Sequence, residues 1–128
     1  MEFTRRTAGL VLVGAGAGLL AGPFVVRLFA QDQAPNRSEF TIVGKDFRYS
    51  PERLEVTQDD IVKLTVRSED VAHSFSIDEY RIVKRIPAGG STTFEFRADR
   101  AGTFRFYCNL TSERGHSQMH GEFVVRPK

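Results

Sequence analysis

Cysteine is nearly absent from this sequence, which contains one, Cys108, among 128 residues. A single cysteine cannot close an internal disulfide, so a disulfide-stapled scaffold is excluded. In an exported chain, such a residue must be a free thiol, an intermolecular crosslink or a metal ligand. Histidine is almost as scarce, and two of the three histidines, His116 and His120, follow Cys108 closely. This concentration of rare residue types marks the first candidate site.

The chain also has little net charge, with 18 Lys and Arg against 16 Asp and Glu. The basic excess lies in residues 1–30, where Arg5, Arg6 and Arg27 are balanced only by Glu2, so the remainder is formally neutral. A neutral domain has no bulk electrostatic reason to bind nucleic acid or an anionic membrane surface. The length supports one domain and not two.

Residues 8–26 form a long run without a charge, directly after Thr4-Arg5-Arg6-Thr7. Glycines recur through this run, and each would cost about 1 kcal/mol relative to alanine in a soluble helix. A charged start followed by an apolar run instead predicts an export signal, of the Sec type or resembling a twin-arginine signal. The run is also long enough to span a bilayer of ~30 Å, so a retained membrane anchor fits equally well.

Both alternatives place the following domain outside the cytoplasm, in the periplasm or on the outer face of the cytoplasmic membrane. We therefore divide the chain into an export signal or anchor helix at residues 1–30, a polar linker at residues 31–37 and a domain at residues 38–128.

From residue 39 onward, apolar and polar residues alternate with the period of half-buried β-strands. Val62, Leu64 and Val66 give the clearest run, and similar runs cover residues 40–44, 54–56, 75–77, 94–96, 104–106 and 123–125. Turn residues separate these runs, and none has the period of an amphipathic helix. The pattern predicts an all-β domain of about eight strands in a Greek-key β-sandwich or barrel, with the phenylalanines of its inward faces in the core.

Four residues with metal-binding side chains lie in two short segments of this domain. Cys108 follows the predicted strand that ends at Tyr107, and His116 and Met119 lie in the next loop, while His73 begins a strand far upstream. Taken singly, such a cysteine is usually a small buried hydrophobe, and such a methionine is usually core filler. Together the four residues include the only cysteine and two of the three histidines, and this clustering favours a metal site.

The donor set favours copper. Thiolate and imidazole donors suit copper, zinc and iron, but an added weak thioether selects copper. Two histidines and one cysteine, with a long axial methionine, are typical of an electron-transfer copper site. Zinc would also bind a cysteine, two histidines and a fourth ligand, but the methionine argues against zinc as the working metal.

At these residues the sequence resembles a cupredoxin, and most resembles the copper domain of cytochrome c oxidase subunit II and of nitrous oxide reductase. Asp70-Val71-Ala72-His73-Ser74-Phe75 resembles the first-histidine segment of that family. Residues 108–119 resemble its metal loop, Cys-x3-Cys-x3-His-x2-Met, which holds a two-copper CuA centre in those proteins. The resemblance implies a cupredoxin fold over about residues 39–127 and His73, Cys108, His116 and Met119 as metal ligands.

Ser112 departs from this pattern, because it occupies the position of the second bridging cysteine. Two coppers need two bridging thiolates, and the pKa of a serine hydroxyl is too high for it to replace one. We therefore expect one copper ion in a type 1 site. His120 remains an alternative candidate for the fourth ligand, and the resemblance implies Glu113 as another, because the CuA family uses a backbone carbonyl from that part of its loop. We favour Met119.

The leading hypothesis is that the domain carries single electrons between redox partners, such as a cytochrome or a copper enzyme, and is not itself an enzyme. The resemblance implies that electrons pass through the edge of His116, with apolar or neutral residues around it as a docking patch. The alternative function is an extracytoplasmic protein that binds and delivers copper. A copper enzyme is less favoured, because no acid–base pair accompanies the candidate ligands.

Overall fold

Two β-sheets form the domain in the computed structural model, which describes residues 34–128. One sheet has four strands in the order β2-β1-β4-β7, and the other has five in the order β3-β9-β8-β5-β6. The nine strands of this described part are β1 Arg37–Lys45, β2 Arg48–Ser50, β3 Arg53–Thr57, β4 Ile61–Ser68, β5 His73–Ile77, β6 Ile82–Ile86, β7 Ser91–Arg97, β8 Gly102–Tyr107 and β9 His120–Arg126. Two short 3-10 helices, Asp78–Tyr80 and Arg114–Gln118, lie in the connections. The predicted all-β Greek-key architecture is confirmed.

The core lies between the inward faces of the two sheets. In β4, Val62, Leu64 and Val66 are buried, while Lys63 and Arg67 are exposed on the opposite face. A similar alternation turns one face of most other strands toward the core, because successive side chains of a strand point to opposite faces. All five residues of β5 are buried. The buried Tyr49, Phe75 and Phe106 pack edge-on or stacked on one another, and Phe123 packs against the partly buried Phe96. The assignment of phenylalanine to the core is correct for these residues.

Two strands were not predicted from the sequence, β2 and β6. Strand β2 has three residues, too few to show a period. In β6, Ile82 and Ile86 are buried, but Lys84 occupies the inward position between them and breaks the apolar pattern. The Lys84 ammonium lies 5.4 Å from the ring centroid of Phe94, which provides a cation–π contact for the charge.

The strand directions bring the distant candidate ligands to one end of the domain. Strands β5 and β8 are antiparallel neighbours that pair at Ser76 and Tyr107, so the start of β5 lies beside the end of β8. His73 is the first residue of β5, and Cys108 directly follows β8. Strand β9 then runs back from His120, which pairs with Tyr107. The loop from Cys108 to Met119 therefore lies at the same end as His73.

The compact unit that contains these strands runs from Pro35 to Lys128. Strand β1 begins at Arg37, the last residue assigned to the linker. The predicted signal or anchor at residues 1–30 lies outside the described residues, as do linker residues 31–33. Among residues 34–128, no helix has the length and apolar character needed to cross a membrane.

Gly121 offers a test of this packing. A Cβ atom at Gly121 would lie 2.3 Å from Cζ of Phe106 and 2.5 Å from the carbonyl oxygen of Glu52. Because the carbonyl belongs to the backbone and Phe106 is fully buried, neither can move freely. We expect Gly121→Ala to lower the free energy of unfolding by about 3 kcal/mol, at the upper end of overpacking costs. Chemical denaturation measures this loss, with the exposed Thr103→Ala as control. Equal stability of the two variants would contradict the packing described.

Candidate metal centre

Three buried side chains form a cluster at the end of the domain where β5 begins and β8 ends. One donor atom each from His73, Cys108 and His116 lies within 4.8 Å of the others. The three residues are 1%, 5% and 0% exposed, respectively. Two imidazoles and a thiol in this space provide three soft or borderline donors for one metal ion.

Met119 lies beside the cluster and is 1% exposed. Its carbonyl oxygen accepts a hydrogen bond of 3.2 Å from the Cys108 amide, which closes the loop between them. A Cβ atom at Gly44 would lie 3.7 Å from the Met119 methyl carbon and 3.1 Å from Cδ2 of His73. The glycine thus leaves room for both side chains, and the structure brings all four sequence-predicted residues together.

The two ring nitrogens of His73 have different surroundings. Nε2 lies 2.8 Å from Oδ1 of Asp70, whose Oδ2 accepts a 2.8 Å hydrogen bond from the Asp46 amide. Burial acts to raise the pKa of Asp70, but the hydrogen bonds from Asp46 and His73 outweigh it, and the pKa is lowered. Because an ionised carboxylate only accepts hydrogen bonds, Nε2 carries the proton.

His73 Nδ1 is buried and has no hydrogen-bond partner within residues 34–128. With the proton on Nε2, this nitrogen presents a lone pair. A buried polar atom without a partner costs about 1–3 kcal/mol, and a bound metal ion would satisfy it. This atom is the strongest sign that the donor set fits a metal.

His116 repeats this arrangement on the other side of the cluster. Nδ1 lies 3.4 Å from Cys108 Sγ, while Nε2 lies 2.5 Å from Oε1 of Glu113. The Ser112 hydroxyl donates to the same carboxylate oxygen at 2.8 Å. Hydrogen bonds from Ser112 and from His116 hold the pKa of Glu113 below its usual value. Glu113 therefore contacts the back of a candidate ligand and does not join the cluster.

Ser74 connects strand β5 to the chain at Cys108 and Asn109. Its hydroxyl accepts from the Asn109 amide at 2.8 Å, donates to the Asn109 side chain at 2.7 Å, and lies 3.6 Å from Cys108 Sγ. The Tyr49 hydroxyl donates to the Ser74 carbonyl at 2.5 Å. Burial raises the pKa of Tyr49 far above its usual value, and the Cys108 charge adds to the rise, so the phenol stays protonated. These contacts hold Cys108 against β5.

Phe47 covers both histidine rings from the turn between β1 and β2. Asp46 and Phe47 have φ values of 54° and 59°, and both positions of a type I′ turn require positive φ. For a bulky residue this conformation costs about 1–2 kcal/mol. The Phe47 ring lies edge-on to His116 and His73, with centroids 5.1 and 6.1 Å apart. The strained turn thus places the apolar Phe47 ring over the two histidine rings.

The remaining candidates lie outside the cluster. His120 is exposed at the start of β9, and Ser112 is exposed with its hydroxyl on Glu113. Electron passage through the edge of His116 stays a prediction. His116 is fully buried, and the exposed residues of its loop are both charged and neutral: Glu113, Arg114, Ser112, Ser117 and Gln118. The loop is folded so that a carboxylate, and not solvent, meets the distal nitrogen.

Sequence reasoning considered Glu113 only as an alternative fourth ligand and did not predict the carboxylates behind the two histidines. Each precedes its histidine by three residues, as Asp70-x-x-His73 and Glu113-x-x-His116. This shared spacing is the signal that could have found them. The roles of Phe47 and Ser74 had no comparable signal, because they depend on a turn conformation and on strand pairing.

Comparison with known proteins agrees with the fold and the cluster. A sequence model of the cupredoxin-like domain family matches residues 18–125. The chain belongs to this cupredoxin-like family. Cytochrome c oxidase subunit 2 of Thermus thermophilus is 29% identical over 92 residues, or 72% of this chain. The match covers 68% of that protein, and 55% of a second Thermus thermophilus subunit 2.

Solved structures share the fold at lower identity. The periplasmic domain of cytochrome oxidase subunit II from Bradyrhizobium japonicum is 16% identical, with a TM-score of 0.61 and coverage of 70% of this chain and 84% of that one. Auracyanin A, a "blue" copper protein from Chloroflexus aurantiacus, is 14% identical, with a TM-score of 0.60 and coverage of 71% and 100%. At these identities the likeness concerns the fold alone.

Gly115 tests the role of Phe47. A Cβ atom at Gly115 would lie 2.3–2.8 Å from three atoms of the Phe47 ring, so Gly115→Ala must displace the ring from its present position. We expect a loss of about 1–3 kcal/mol in the free energy of unfolding, together with faster hydrogen exchange in the turn at residues 45–48. Denaturation and amide exchange measure these effects. Gln118→Ala, at an exposed position of the same 3-10 helix, is the control. Unchanged exchange in Gly115→Ala would contradict the packing of Phe47 on Gly115.

Proposed function

We propose that this chain is a mononuclear copper protein that carries single electrons between redox partners. One observation carries the proposal: the unpartnered, buried Nδ1 of His73 belongs to the same cluster as Cys108 and His116. A lone pair held without a partner beside a thiol and a second imidazole is suited to a metal ion and to little else.

Copper is the metal that this donor set favours. His73, Cys108 and His116 supply two imidazoles and a thiolate, and Met119 supplies the weak fourth thioether ligand. The relatives support the choice, because one solved neighbour is a "blue" copper protein and the curated relatives are cytochrome oxidase subunits. We assign one copper ion, since the domain has one cysteine and Ser112 is not a thiolate ligand.

Electron transfer is favoured over substrate chemistry because the cluster is buried and tightly held. His73, Cys108 and His116 are at most 5% exposed, which leaves substrate little access to the metal. Carboxylates behind both histidines and the Ser74 contacts at Cys108 limit ligand movement. Bound copper would supply the one-electron couple, and this rigid frame would keep reorganisation small. Copper delivery, the alternative function, requires release of the ion, which buried and braced ligands oppose.

The location and partners follow from residues 1–30 and from the relatives. A charged start and an apolar run predict export, and the Bradyrhizobium japonicum neighbour is a periplasmic domain. We propose that the domain works outside the cytoplasm, as a cleaved product or held at the membrane by the N-terminal segment. Its partner is another redox protein, such as a cytochrome or a copper enzyme.

Stoichiometric Cu(II) added to the full chain tests the copper site. We expect an intense visible thiolate-to-copper band, the electron paramagnetic resonance pattern of one copper nucleus, and reversible one-electron voltammetry. Cys108→Ser should abolish the visible band, because it removes the thiolate. His120→Ala is the control and should retain the band, because His120 is exposed and outside the cluster. A wild-type chain without the band, or one that loses copper on reduction, would contradict the proposal.

Ser112→Cys tests why the site holds one copper. If the serine alone limits the copper number, the restored thiol should allow a second copper and a resonance pattern from two nuclei that share one unpaired electron. Ser117→Cys adds a thiol to the neighbouring 3-10 helix and should still give one copper. Copper analysis and electron paramagnetic resonance distinguish the two. A Ser112→Cys chain that still binds a single copper would show that another feature of the loop sets the number.

A further inference from the structure

The distal nitrogen of His116 is covered by a carboxylate from its own loop. Nε2 lies 2.5 Å from Oε1 of Glu113, although His116 itself is fully buried. The Glu113 side chain is 45% exposed, so it reaches the ring from the solvent side. The Ser112 hydroxyl, also on the solvent side, donates to the same oxygen at 2.8 Å. We call this pair the Ser112–Glu113 arm.

The arm determines which nitrogen of His116 carries the proton. An ionised carboxylate accepts hydrogen bonds and cannot donate one, so Nε2 must be the donor. Nδ1 then presents its lone pair toward Cys108 Sγ, 3.4 Å away. A histidine that binds metal through one nitrogen commonly donates from the other to such a partner, which fixes the tautomer and the ring orientation.

The same geometry at the second histidine argues that the arm is not a chance surface contact. Asp70 precedes His73 by three residues and lies 2.8 Å from its Nε2, as Glu113 does for His116. Each carboxylate also accepts a hydrogen bond from a donor other than the histidine. Asp70 receives the Asp46 amide, whereas Glu113 receives the Ser112 hydroxyl.

We propose that Ser112 and Glu113 act together as positioning residues for His116 and favour the oxidised state of the bound metal; the second half of this inference rests on the proposed copper function. Ser112 then has a role of its own, besides standing where the two-copper pattern has a cysteine ligand. Its hydroxyl holds Glu113 on the ring, so the position that departs from the two-copper pattern supports a one-metal site.

The physical effect on the metal has a definite sign. A carboxylate hydrogen-bonded to Nε2 makes the imidazole a stronger donor, and its negative charge favours the higher charge state of the ion. Removal of Glu113 should therefore weaken Cu(II) binding by about tenfold or more and shift the copper reduction potential to a more positive value.

The metal-free full chain tests the positioning role without copper. With three histidines in the chain, long-range proton–nitrogen spectra can follow each ring. We expect His116 in the wild-type chain as the Nε2–H tautomer. Glu113→Gln keeps an acceptor oxygen and should retain this tautomer, whereas Glu113→Ala should shift the population toward Nδ1–H. Ser112→Ala should give a smaller shift in the same direction, and Ser117→Ala, a hydroxyl that bonds the Arg114 carbonyl, should give none.

The copper-loaded chains test the electronic role. Glu113→Gln and Glu113→Ala should both raise the reduction potential, because both remove the charge. Glu52→Gln is the control, since this exposed carboxylate lines the same surface opening as Gly115 and Gln118 but contacts neither histidine. The rise in the Glu113 variants should exceed that in Glu52→Gln.

The outcomes separate this proposal from the copper function. If the thiolate-to-copper band forms, but Glu113→Ala keeps the wild-type tautomer and both Glu113 variants match Glu52→Gln in potential, the arm is a surface contact and the proposal is wrong. A changed potential in Glu113→Ala with an unchanged His116 tautomer would overturn the positioning role. If the wild-type chain forms no copper site but Glu113→Ala still shifts the tautomer, the copper function fails and the positioning role stands. A Ser112→Ala chain identical to Ser117→Ala would overturn the part assigned to the serine.

Discussion

Two imidazoles and a thiol buried in a small β-sandwich impose the constraint on which the rest of this structure depends. Each buried polar atom without a partner costs about 1–3 kcal/mol, so its surroundings must supply partners or a ligand must do so. Asp70 and Glu113 satisfy the two distal nitrogens, and Ser74 approaches the sulfur of Cys108. Nδ1 of His73 is the cluster atom that has no partner within residues 34–128, and a bound metal ion would supply that partner.

The β-sheet framework makes this burial possible at one end of the domain. Antiparallel pairing of β5 and β8 brings the first residue of one strand next to the residue that follows the other, which joins His73 to Cys108 across 35 positions of chain. Two glycines leave the space that the cluster and the Phe47 ring occupy. Gly44 leaves room for His73 and Met119, and Gly115 receives the ring of Phe47, which is held over both histidines by a strained turn. Strands β5 and β8 thus hold His73 and Cys108 side by side, and the loop from Cys108 to Met119 completes the cluster.

The sequence predicted the parts that depend on period and spacing. Alternation identified most strands, and the spacing of Cys108, His116 and Met119 identified the cluster, because adjacent strands and a short loop leave those side chains few other places. Strand β6 escaped prediction, since Lys84 faces inward and is accommodated by Phe94, a contact that no local pattern reveals. Phe47 escaped for a related reason: positive φ at a bulky residue runs against its local preference, and only tertiary packing explains it. Glu113 was a candidate through its backbone carbonyl, but this carbonyl accepts a hydrogen bond from the His116 amide, and the Glu113 side chain lies at the back of His116.

X-ray absorption at the copper edge of the copper-loaded full chain tests the proposed ligand set, because it reports the atoms bound to the metal. We expect one short copper–sulfur distance from Cys108 and two copper–nitrogen distances from His73 and His116, with no copper neighbour. Scattering from oxygen and nitrogen alone would show that Cys108 is not a ligand. Scattering from a second copper would contradict the one-copper site assigned here.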